Sequence, residues 1–330
     1  MNGSRAAGGS RLGVVVNPTA GSGRGTRAGR YLTARLRADG HQVVDLSAPT
    51  ATETAARARA AVEARAVDAL VVGGDGMVHL GAQAVAGTST ALGIVAVGSG
   101  DDFAACLGMP RGDVPACVDH LRAAVDARSV RQVDAIRVSG PDRADRWVAG
   151  AVSAGLDAAV NARAEMMRSR GRYTRAALAE IATFRAWPYS LRLHGLTDDG
   201  GLPLEPSQDG WAWHGRAAMV TAANTDRIGG GIRVTPRAVV DDGLLDVLVA
   251  PVLTRAAAAR IFPLMFSGRH VHRPDVHVLR ARAVTIAPGS PDPTAAPLPD
   301  AHGDGERLGP LPLTATAVPG ALRILVALRL

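Results

Sequence analysis

The stretch "LVVGGDGMVHLGAQA", residues 70–84, carries the pattern that decides the fold of the first third of the chain. Three apolar residues, Leu70-Val71-Val72, break into Gly73-Gly74-Asp75-Gly76, and a helix-like pattern follows. A short apolar run bounded by glycine is typical of a buried strand. Glycines remove side chains where another group must approach the backbone. The stretch therefore predicts a buried strand, a tight turn that carries one acid, and a helix.

Similar units surround this stretch, so that strand and helix patterns alternate through the first third of the chain. Strand patterns occur at residues 12–16, 42–46, 67–72 and 92–97, and helical patterns occur at 27–38, 52–65 and 77–86. Short apolar strands separated by helices predict a parallel sheet that is covered on both faces. Ligands of such sheets bind outside the carboxyl ends of the strands. Because the glycine-rich turns at 17–25, 73–76 and 98–100 all fall there, we expect a ligand site at that edge.

From residue 131 the pattern changes to strands joined by turns, which is typical of an antiparallel β domain. We therefore predict an α/β domain over residues 11–130 and a β-sandwich domain over residues 131–320, with a helical insert at 157–187. The last strand, residues 321–330, can return to the first domain or remain in the second.

The composition is that of a globular protein with a basic net charge. The 330 residues are 47% hydrophobic and 20% charged, and the net charge of +7 rests on arginine, because the sequence contains no lysine. Guanidinium groups are well suited to phosphates and anionic lipid headgroups. Aromatic residues make up only 3% of the chain, which leaves few side chains for base stacking. We expect no nucleic-acid partner.

The sequence predicts a cytoplasmic protein that makes transient contact with the inner membrane face. It has no run of about 18 apolar residues that could span a membrane, and its polar first residues lack the apolar region of a signal peptide. Cys106 and Cys117 offer neither a metal-binding spacing nor a disulfide framework. The basic face of the helical stretch from Ala162 to Ile181 suits an anionic membrane, although a solvated face is the simpler interpretation.

Each glycine-rich turn has two interpretations. The loop "NPTAGSGRG", from Asn17 to Gly25, can form an anion-binding nest or a plain connection, but it is not a Walker A loop, which requires lysine. Asp75 can hold a cation or a hydroxyl beside a phosphate, or it can cap the helix that follows. After Gly98-Ser99-Gly100, Asp101 or Asp102 likewise opens a short helix, with capping as the simpler role.

Two acidic turns stand out in the second domain. Asp241-Asp242-Gly243 is typical of a hairpin turn, and a cation held by Asp242 and adjacent carbonyls is the alternative. In "HGDGERLG", residues 302–309, a carboxylate of Asp304 or Glu306 can accept a proton from a hydroxyl nucleophile, and an exposed polar turn is the alternative. Four histidines lack the partners of a metal site and are interpreted as solvated or packed: His79, His270, His272 and His277.

Five stretches, taken in their order along the chain, resemble the motifs of the diacylglycerol kinase catalytic-domain family, which contains bacterial lipid kinases and the sphingosine and ceramide kinases. Each stretch is weakly specific alone, but the ordered set extends over residues 12–328. The matching stretches are Asn17-Pro18-Thr19-Ala20-Gly21, Gly73-Gly74-Asp75-Gly76-Met77, Gly98-Ser99-Gly100-Asp101-Asp102-Phe103, the run from Gly229 to Val247, and Asp304-Gly305-Glu306.

The resemblance implies an NAD kinase/diacylglycerol kinase-like fold, in which an α/β N-terminal domain with a parallel sheet precedes an antiparallel β-sandwich C-terminal domain and ATP binds between them. It implies an ATP-dependent kinase that transfers the γ-phosphate to the hydroxyl of diacylglycerol or a similar lipid alcohol. The residues implied in nucleotide binding are Asn17, Pro18, Thr19, Ala20, Gly21, Gly73, Gly74, Asp75, Gly76, Met77, Gly98, Ser99 and Asp102.

The resemblance also implies the acids and the metal of the site. The turn Asp304-Gly305-Glu306 supplies the general base toward the lipid hydroxyl, with the choice between its two carboxylates open, and Asp75 is the third catalytic acid. A structural Mg²⁺ is implied near the Asp-Asp-Gly turn, where it is bound by the side chain of Asp242 and by the carbonyls of Val240 and Leu244. The implied cofactors are therefore ATP and Mg²⁺.

Three differences from the family pattern fall in the implied nucleotide site. Met77 replaces a threonine, Val78-His79-Leu80 stands where Leu-Asn-Glu is common, and Asp101 replaces an asparagine. They leave open an altered acceptor, a slower enzyme, or a non-catalytic relative that binds lipid or nucleotide. An NAD kinase-like activity is a further alternative, because that related family shares Gly-Gly-Asp-Gly, although the Asp304-Gly305-Glu306 turn and the Asp-Asp-Gly run argue against it. A homodimer is also left open.

Overall fold

The chain divides into two compact units. The first consists of Met1–Val133 together with Gly320–Leu330, and the second is Asp134–Pro319. The computed structural model describes residues 9–16, 24–98, 100–167, 172–182, 185–250, 252–290 and 297–327.

The N-terminal unit is built on a parallel sheet, as predicted. Its strands are β1 (Arg11–Val14), β2 (Gln42–Asp45), β3 (Ala69–Val72) and β4 (Ala91–Ile94), and its helices are α1 (Arg24–Ala38), α2 (Ala51–Glu63), α3 (Asp75–Val85), α4 (Asp102–Cys106) and α5 (Val114–Asp126). Every residue of β3 and β4 is buried. Strands buried in this way are covered on both faces, which explains their unbroken apolar sequences.

The order in which the chain adds strands to this sheet changes direction at β1. The order is β2-β1-β3-β4, and Ile324 of the last strand of the chain pairs in parallel with Leu92 of β4. From β1 the chain first builds outward to β2 and then returns to the other side of β1 with β3. Strand ends that diverge at such a point leave a crevice in which α/β proteins bind ligands. The loop after β1 and the glycine turn after β3 both begin here.

Polar caps mark the beginning of two helices in this unit. The Thr50 hydroxyl accepts the N–H of Glu53 at 3.2 Å before α2, and the Asp113 carboxylate accepts the N–H of Ala116 at 3.1 Å before α5. Such caps satisfy first-turn N–H groups that have no partner within the helix. Helix α3 differs, because it follows Gly74, which makes no side-chain cap.

The C-terminal unit is an antiparallel β domain, as predicted. Its strands are β5 (Val130–Ser139), β6 (Arg146–Val148), β7 (Ala151–Gly155), β8 (Trp187–Asp198), β9 (Glu205–Ser207), β10 (Gly210–Ala217), β11 (Met219–Ala223), β12 (Leu245–Ala250), β13 (His277–Pro288), β14 (Ala301–Gly303), β15 (Glu306–Gly309) and β16 (Leu313–Leu325). The first residues of β5 and the last residues of β16 belong to the N-terminal unit. The main strand order is β15-β14-β7-β11-β12-β13-β16, and β8 joins β13 to β10, which pairs with β9.

Three helices belong to this unit. They are α6 (Leu156–Glu165), α7 (Arg172–Ala182) and α8 (Arg255–Ser267), and a 3-10 turn at Arg269–His272 follows the last of them. The first two fall largely in the stretch 157–187, for which the sequence predicts helix. Among the described residues, no helix combines the length and the apolar character needed to cross a membrane.

The core of the C-terminal unit follows the period of its strands. Every second side chain at the start of β8 is buried, and the residues between them are more exposed. Alternate residues of a strand point to opposite faces, so one face of β8 enters the core. The buried residues of β8 belong to one cluster with residues of β13, the set being Trp187, Tyr189, Leu191, Leu193, Leu279, Ala281, Val284 and Ile286.

Two stretches that each resemble one strand in the sequence contain two strands in the structure. Residues 145–155 divide into β6 and β7, with a turn at Ala149 and Gly150, and residues 211–224 divide into β10 and β11 at Ala218. In the second case the backbone of Ala218 bonds two other elements, because its carbonyl accepts the N–H of Leu156 in α6 and its N–H donates to the carbonyl of Ala250 in β12. The division at Gly150 coincides with hydrogen bonds from the backbone to the side chain of Asp304, a predicted site residue.

Candidate active site

The glycine turn after β3 has a backbone conformation that only glycine adopts readily. Gly74 has φ 75° and ψ 162°, a region that costs other residues about 1–3 kcal/mol. The turn brings Asp75 to the first position of α3, at the carboxyl end of β3. The N–H groups at the start of a helix have no partner within the helix and form a ready anion-binding site.

A second glycine turn, after β4, packs directly against the first. A Cβ atom on Gly98 would lie 3.1 Å from the Cα of Gly74, which is closer than side-chain atoms normally approach. Glycine at position 98 therefore allows the backbones of the two turns to touch. This contact is a structural reason for the glycine pattern that holds whether or not a ligand binds.

Asp75 links the two turns through its side chain. The backbone N–H groups of Asp101 and Phe103, at the beginning of α4, lie near enough to its carboxylate to favour the charged form. Burial first, and then the charges of Asp102 and Asp101, raise the pKa of Asp75 to about 7, against the smaller opposing effect of the two N–H groups. Asp75 is therefore the first residue of α3 and not its cap, and its side chain lies beside the first amides of the neighbouring helix α4.

Asp101 and Asp102 complete a cluster of three acids. Asp101 has a left-handed backbone with φ 54° and ψ 39°, a conformation that asparagine and aspartate tolerate better than most residues. Its buried carboxylate accepts the N–H of Gly98 at 3.1 Å, and burial raises its pKa. Asp102 is also buried. The replacement of the family's asparagine by Asp101 thus preserves the turn but adds negative charge.

A small cleft lies beside these turns, at the carboxyl ends of β1 and β3. Its lining is apolar or glycine, and it includes Val16, Gly25, Gly29, Gly74, Val97 and Gly98. An apolar cleft next to backbone N–H donors can hold a ligand that has both an apolar part and an anionic part.

The structure brings together only part of the predicted nucleotide site. Gly73, Gly74, Asp75, Gly98 and Asp102 lie at the two glycine turns, and Gly76 and Met77 belong to the first turn of α3. The remaining predicted residues, Asn17, Pro18, Thr19, Ala20, Gly21 and Ser99, lie outside the described residues.

The differences that follow Asp75 fall on the packed side of α3. Val78, His79 and Leu80 are all buried. The ring of His79 lies 3.5 Å from the amide of Gln83, one turn further along the helix. Met77 is only partly buried. The change from Leu-Asn-Glu to Val-His-Leu therefore alters the packing of the helix more than the surface of the glycine turn.

The acids of the Asp304-Gly305-Glu306 motif lie at the hairpin between β14 and β15. Asp304 and Gly305 form the two-residue loop, with φ values of 51° and 85°. Two successive positive φ values define the type I′ turn, for which Asp-Gly is a preferred sequence. The backbone of this stretch therefore forms a polar turn, which is its simpler interpretation. Any further role depends on the side chains of Asp304 and Glu306.

The carboxylate of Asp304 is bonded to three consecutive backbone N–H groups. It accepts from Ala149 at 2.8 Å, from Gly150 at 2.7 Å and from Ala151 at 3.3 Å. These bonds hold the turn between β6 and β7, which explains why the strand pattern is interrupted there. Glu306 is exposed at the start of β15. The two acids of the motif therefore have different surroundings.

A buried polar group lies beside this hairpin, and sequence reasoning missed it. His302 of β14 stands opposite Ser153 of β7, whose hydroxyl lies 3.1 Å from that of Thr221. Burial raises the pKa of Asp157, at the start of α6, while hydrogen bonds from Ser153 and Asn161 and the nearby His302 oppose the rise. The contacts of Asp157 with Ser153 and Asn161 are local in the sequence, but the approach of His302 depends on the pairing of the distant strands β14 and β7.

The implied magnesium ligands lie in the turn before β12, but the oxygens of two of them, Asp242 and Val240, bond groups of the chain itself. One oxygen of Asp242 accepts the N–H of Leu244 at 3.0 Å, and the other pairs with Arg280. The carbonyl of Val240 accepts the N–H of Asp134 at 2.7 Å. Across the described ranges, no three Asp, Glu, His or Cys side chains are grouped so as to hold a metal ion.

Comparison with known proteins connects both halves of the chain to one family. The diacylglycerol kinase catalytic domain matches residues 11–158, and the YegS C-terminal NAD kinase beta sandwich-like domain matches residues 150–326. The diacylglycerol kinase of Mycobacterium tuberculosis is 33% identical over 317 residues, which cover 94% of each chain.

A solved structure shows the same fold. The crystal structure of a diacylglycerol kinase from Bacillus anthracis str. Sterne superposes with a TM-score of 0.71, covering 96% of this chain and 97% of that one at 18% identity. The ordered motifs, the two family matches and the similarity to the mycobacterial protein over nearly the whole length agree. The chain therefore belongs to the diacylglycerol kinase catalytic-domain family.

Proposed function

We propose that the protein is an ATP-dependent lipid kinase that transfers the γ-phosphate of ATP to the hydroxyl of diacylglycerol or a similar lipid alcohol. Membership of the family supports a lipid kinase, and the mycobacterial relative is named for diacylglycerol. The observation that carries the proposal is the position of Asp75 where the two glycine turns meet. It combines an acid with helix N-terminal amides at the edge of a parallel sheet where ligands bind.

In this proposal the N-terminal unit binds the nucleotide. The amides at the start of α3 bond its phosphates, and Asn17–Gly21 and Ser99 supply the remaining contacts. Burial and, to a lesser extent, the charges of Asp102 and Asp101 raise the pKa of Asp75, so a cation beside Asp75 would relieve the repulsion among these carboxylates. Asp75 and Asp102 would hold the Mg²⁺ that accompanies ATP, and the ion supplies neutralisation of phosphate charge.

The C-terminal unit acts on the acceptor. The exposed carboxylate of Glu306 takes the proton of the lipid hydroxyl as that oxygen attacks the γ-phosphorus, and the bond to the bridging oxygen of ADP breaks. Asp304 positions the hairpin through its three backbone hydrogen bonds. Phosphoryl transfer depends mainly on positioning and charge neutralisation, so a single well-placed carboxylate is sufficient.

Two neighbouring helices support contact with a membrane surface, where the acceptor resides. Helices α7 and α8 contact each other. The side chains of Leu178 and Phe266 on these helices are 56% and 46% exposed. Arg255 and Arg260 are exposed on α8. Exposed apolar side chains next to arginines are typical of helices that lie at an anionic membrane surface.

Calorimetric titration with Mg-ATP tests the donor half of the proposal. We expect the wild type to bind, Asp75→Asn to bind at least about tenfold more weakly because a charged ligand is lost, and Glu63→Gln, an exposed acid of α2, to bind like the wild type. A folded wild-type protein that gives no binding heat with Mg-ATP would contradict ATP as the donor. That result would favour a lipid-binding relative without kinase activity.

A further inference from the structure

The turn that precedes β12 concentrates negative charge. Asp241 and Asp242 lie in the turn, and Asp246 follows in β12. The Asp246 side chain is only 3% exposed, and the Asp242 side chain is 25% exposed. Carboxylates withdrawn from water to this degree require a counter-charge or strong hydrogen-bond donors.

Arg280 of β13 provides a positive charge at this place. It stands directly opposite Asp246 in the pairing of β12 with β13, and its Nε lies 3.6 Å from Asp246 Oδ2. Its Nη2 donates to Asp242 Oδ2. The pairing of β13 with β8 shifts register between Arg280 and Ala281. Such irregularities change the direction of a side chain relative to a regular strand.

Both carboxylate oxygens of Asp242 and the carbonyl of Val240, which a structural cation would require, already have partners within the chain. Asp242 Oδ1 accepts the N–H of Leu244 at 3.0 Å, and Asp242 Oδ2 accepts from Arg280. The carbonyl of Val240 accepts the N–H of Asp134 at 2.7 Å, and Asp134 Oδ2 accepts the N–H of Gly243 at 2.7 Å. The turn is therefore closed by protein donors on both sides, and its residues do not fit the implied Mg²⁺.

We infer that the guanidinium of Arg280 holds this turn in place of a divalent cation. A guanidinium is charged at every physiological pH, and that of Arg280 serves two carboxylates at once, through a hydrogen bond to Asp242 and an ion pair with Asp246. The turn before β12 therefore needs no metal ion. This inference concerns the stability of the C-terminal unit and is independent of the proposed kinase reaction.

The first test is thermal unfolding of the full chain without nucleotide, in EDTA and in MgCl₂. The wild type and Asp242→Asn are compared, because any effect of Mg²⁺ at the turn must pass through Asp242. The expected result is the same Mg²⁺-dependent shift of Tm, or none, in both proteins. A stabilisation by Mg²⁺ that is present in the wild type and lost in Asp242→Asn would overturn the inference.

The second test compares Arg280→Ala with Arg282→Ala, which removes an exposed arginine from the same strand. Loss of Arg280 leaves Asp242 and Asp246 without their counter-charge, so we expect Tm to fall by about 3 °C relative to Arg282→Ala. Mg²⁺ should recover part of that loss. Arg280→Lys retains the charge without the forked geometry, and it is the variant to use where Arg280→Ala does not fold. For either variant, a Tm equal to that of Arg282→Ala would overturn the inference.

Discussion

The carboxylate of Asp304 accepts the backbone N–H of Gly150 at 2.7 Å. The same carboxylate accepts the N–H groups of Ala149 and Ala151, so both of its oxygens are engaged by one turn of the backbone. Glu306, two residues further along the hairpin, has an exposed side chain. This asymmetry is the basis for assigning positioning to Asp304 and proton transfer to Glu306 in the proposed reaction.

Asp304→Asn and Glu306→Gln should therefore affect different properties, stability in the first variant and turnover in the second. In Asp304→Asn, an amide NH₂ faces backbone donors, and we expect the free energy of unfolding to fall by about 2 kcal/mol. In Glu306→Gln, we expect unchanged stability and a fall in kcat of at least about 100-fold, because the amide cannot accept the proton. Denaturant unfolding and steady-state phosphate transfer measure the two effects.

Glu205→Gln is the matched control, since Glu205 is an exposed glutamate on β9 of the same unit. It should leave both stability and turnover unchanged. Turnover of Glu306→Gln near the wild-type rate would refute the assignment of the base.

The raised pKa of Asp75 predicts a pH-dependent stability. The ordinary value is 3.8 and the folded value is about 7, so between these pH values the folded state holds a proton that the unfolded state has released. Stability from this group is therefore greatest below about pH 4, falls as pH rises toward 7, and is constant above. Over this pH range we expect the free energy of unfolding to decline by about 2 kcal/mol less in Asp75→Asn than in the wild type, after allowance for solvent screening.

Chemical unfolding of the wild type and of Asp75→Asn at about pH 5 and about pH 8 measures this effect. The difference between the two proteins isolates Asp75 from other acids that titrate in the same range, such as Asp246, whose pKa burial raises to about 6. Parallel pH profiles of the two proteins would show that Asp75 titrates normally.

Two neighbouring glycines should differ in their tolerance of alanine. Gly74 has φ 75° and ψ 162°, so Gly74→Ala should lower the free energy of unfolding by about 1–3 kcal/mol. A Cβ on Gly76, in the first turn of α3, meets nothing within 4 Å, so Gly76→Ala should leave stability unchanged or raise it by up to about 1 kcal/mol. Urea unfolding of both variants tests the contrast, and equal stabilities would contradict the described turn.

The exposed apolar residues of α7 and α8 should contribute to vesicle binding. We expect Phe266→Ser and Leu178→Ser each to weaken binding to anionic phospholipid vesicles about tenfold, because each removes apolar area from the contact. Trp211→Ser is the control, since Trp211 is also a large apolar residue, 40% exposed, but belongs to β10 and to neither helix. Co-sedimentation measures the bound fraction, and equal losses in all three variants would argue against a membrane-facing role for α7 and α8.

The fold class is predictable because its signals are local. The four apolar residues of β3 and the four residues of β4 form short runs without alternation, as expected for strands buried on both faces. The alternation along β8 is equally local and marks a strand with one buried face. Neither signal requires knowledge of which strands pair.

The contacts that define the candidate site are not local, and the sequence does not reveal them. Asp304 bonds residues more than 150 positions away in the chain, and Arg280 reaches Asp242 across 38 positions. Asp75 lies where a helix cap is expected, but its side chain lies beside the amides of α4. Such partners are set by strand order and register, which residue patterns alone leave undetermined.

The proposed activity is tested most directly by transfer of label from γ-labelled ATP in the presence of Mg²⁺ to a panel of acceptors. The panel contains diacylglycerol in mixed vesicles, other long-chain alcohols, and NAD. We predict label in diacylglycerol or a related lipid alcohol, and a loss of at least about 100-fold in both Glu306→Gln and Asp75→Asn. Label in NAD with none in any lipid, or no transfer at all by a protein that binds Mg-ATP, would contradict the proposal that this protein is a lipid kinase.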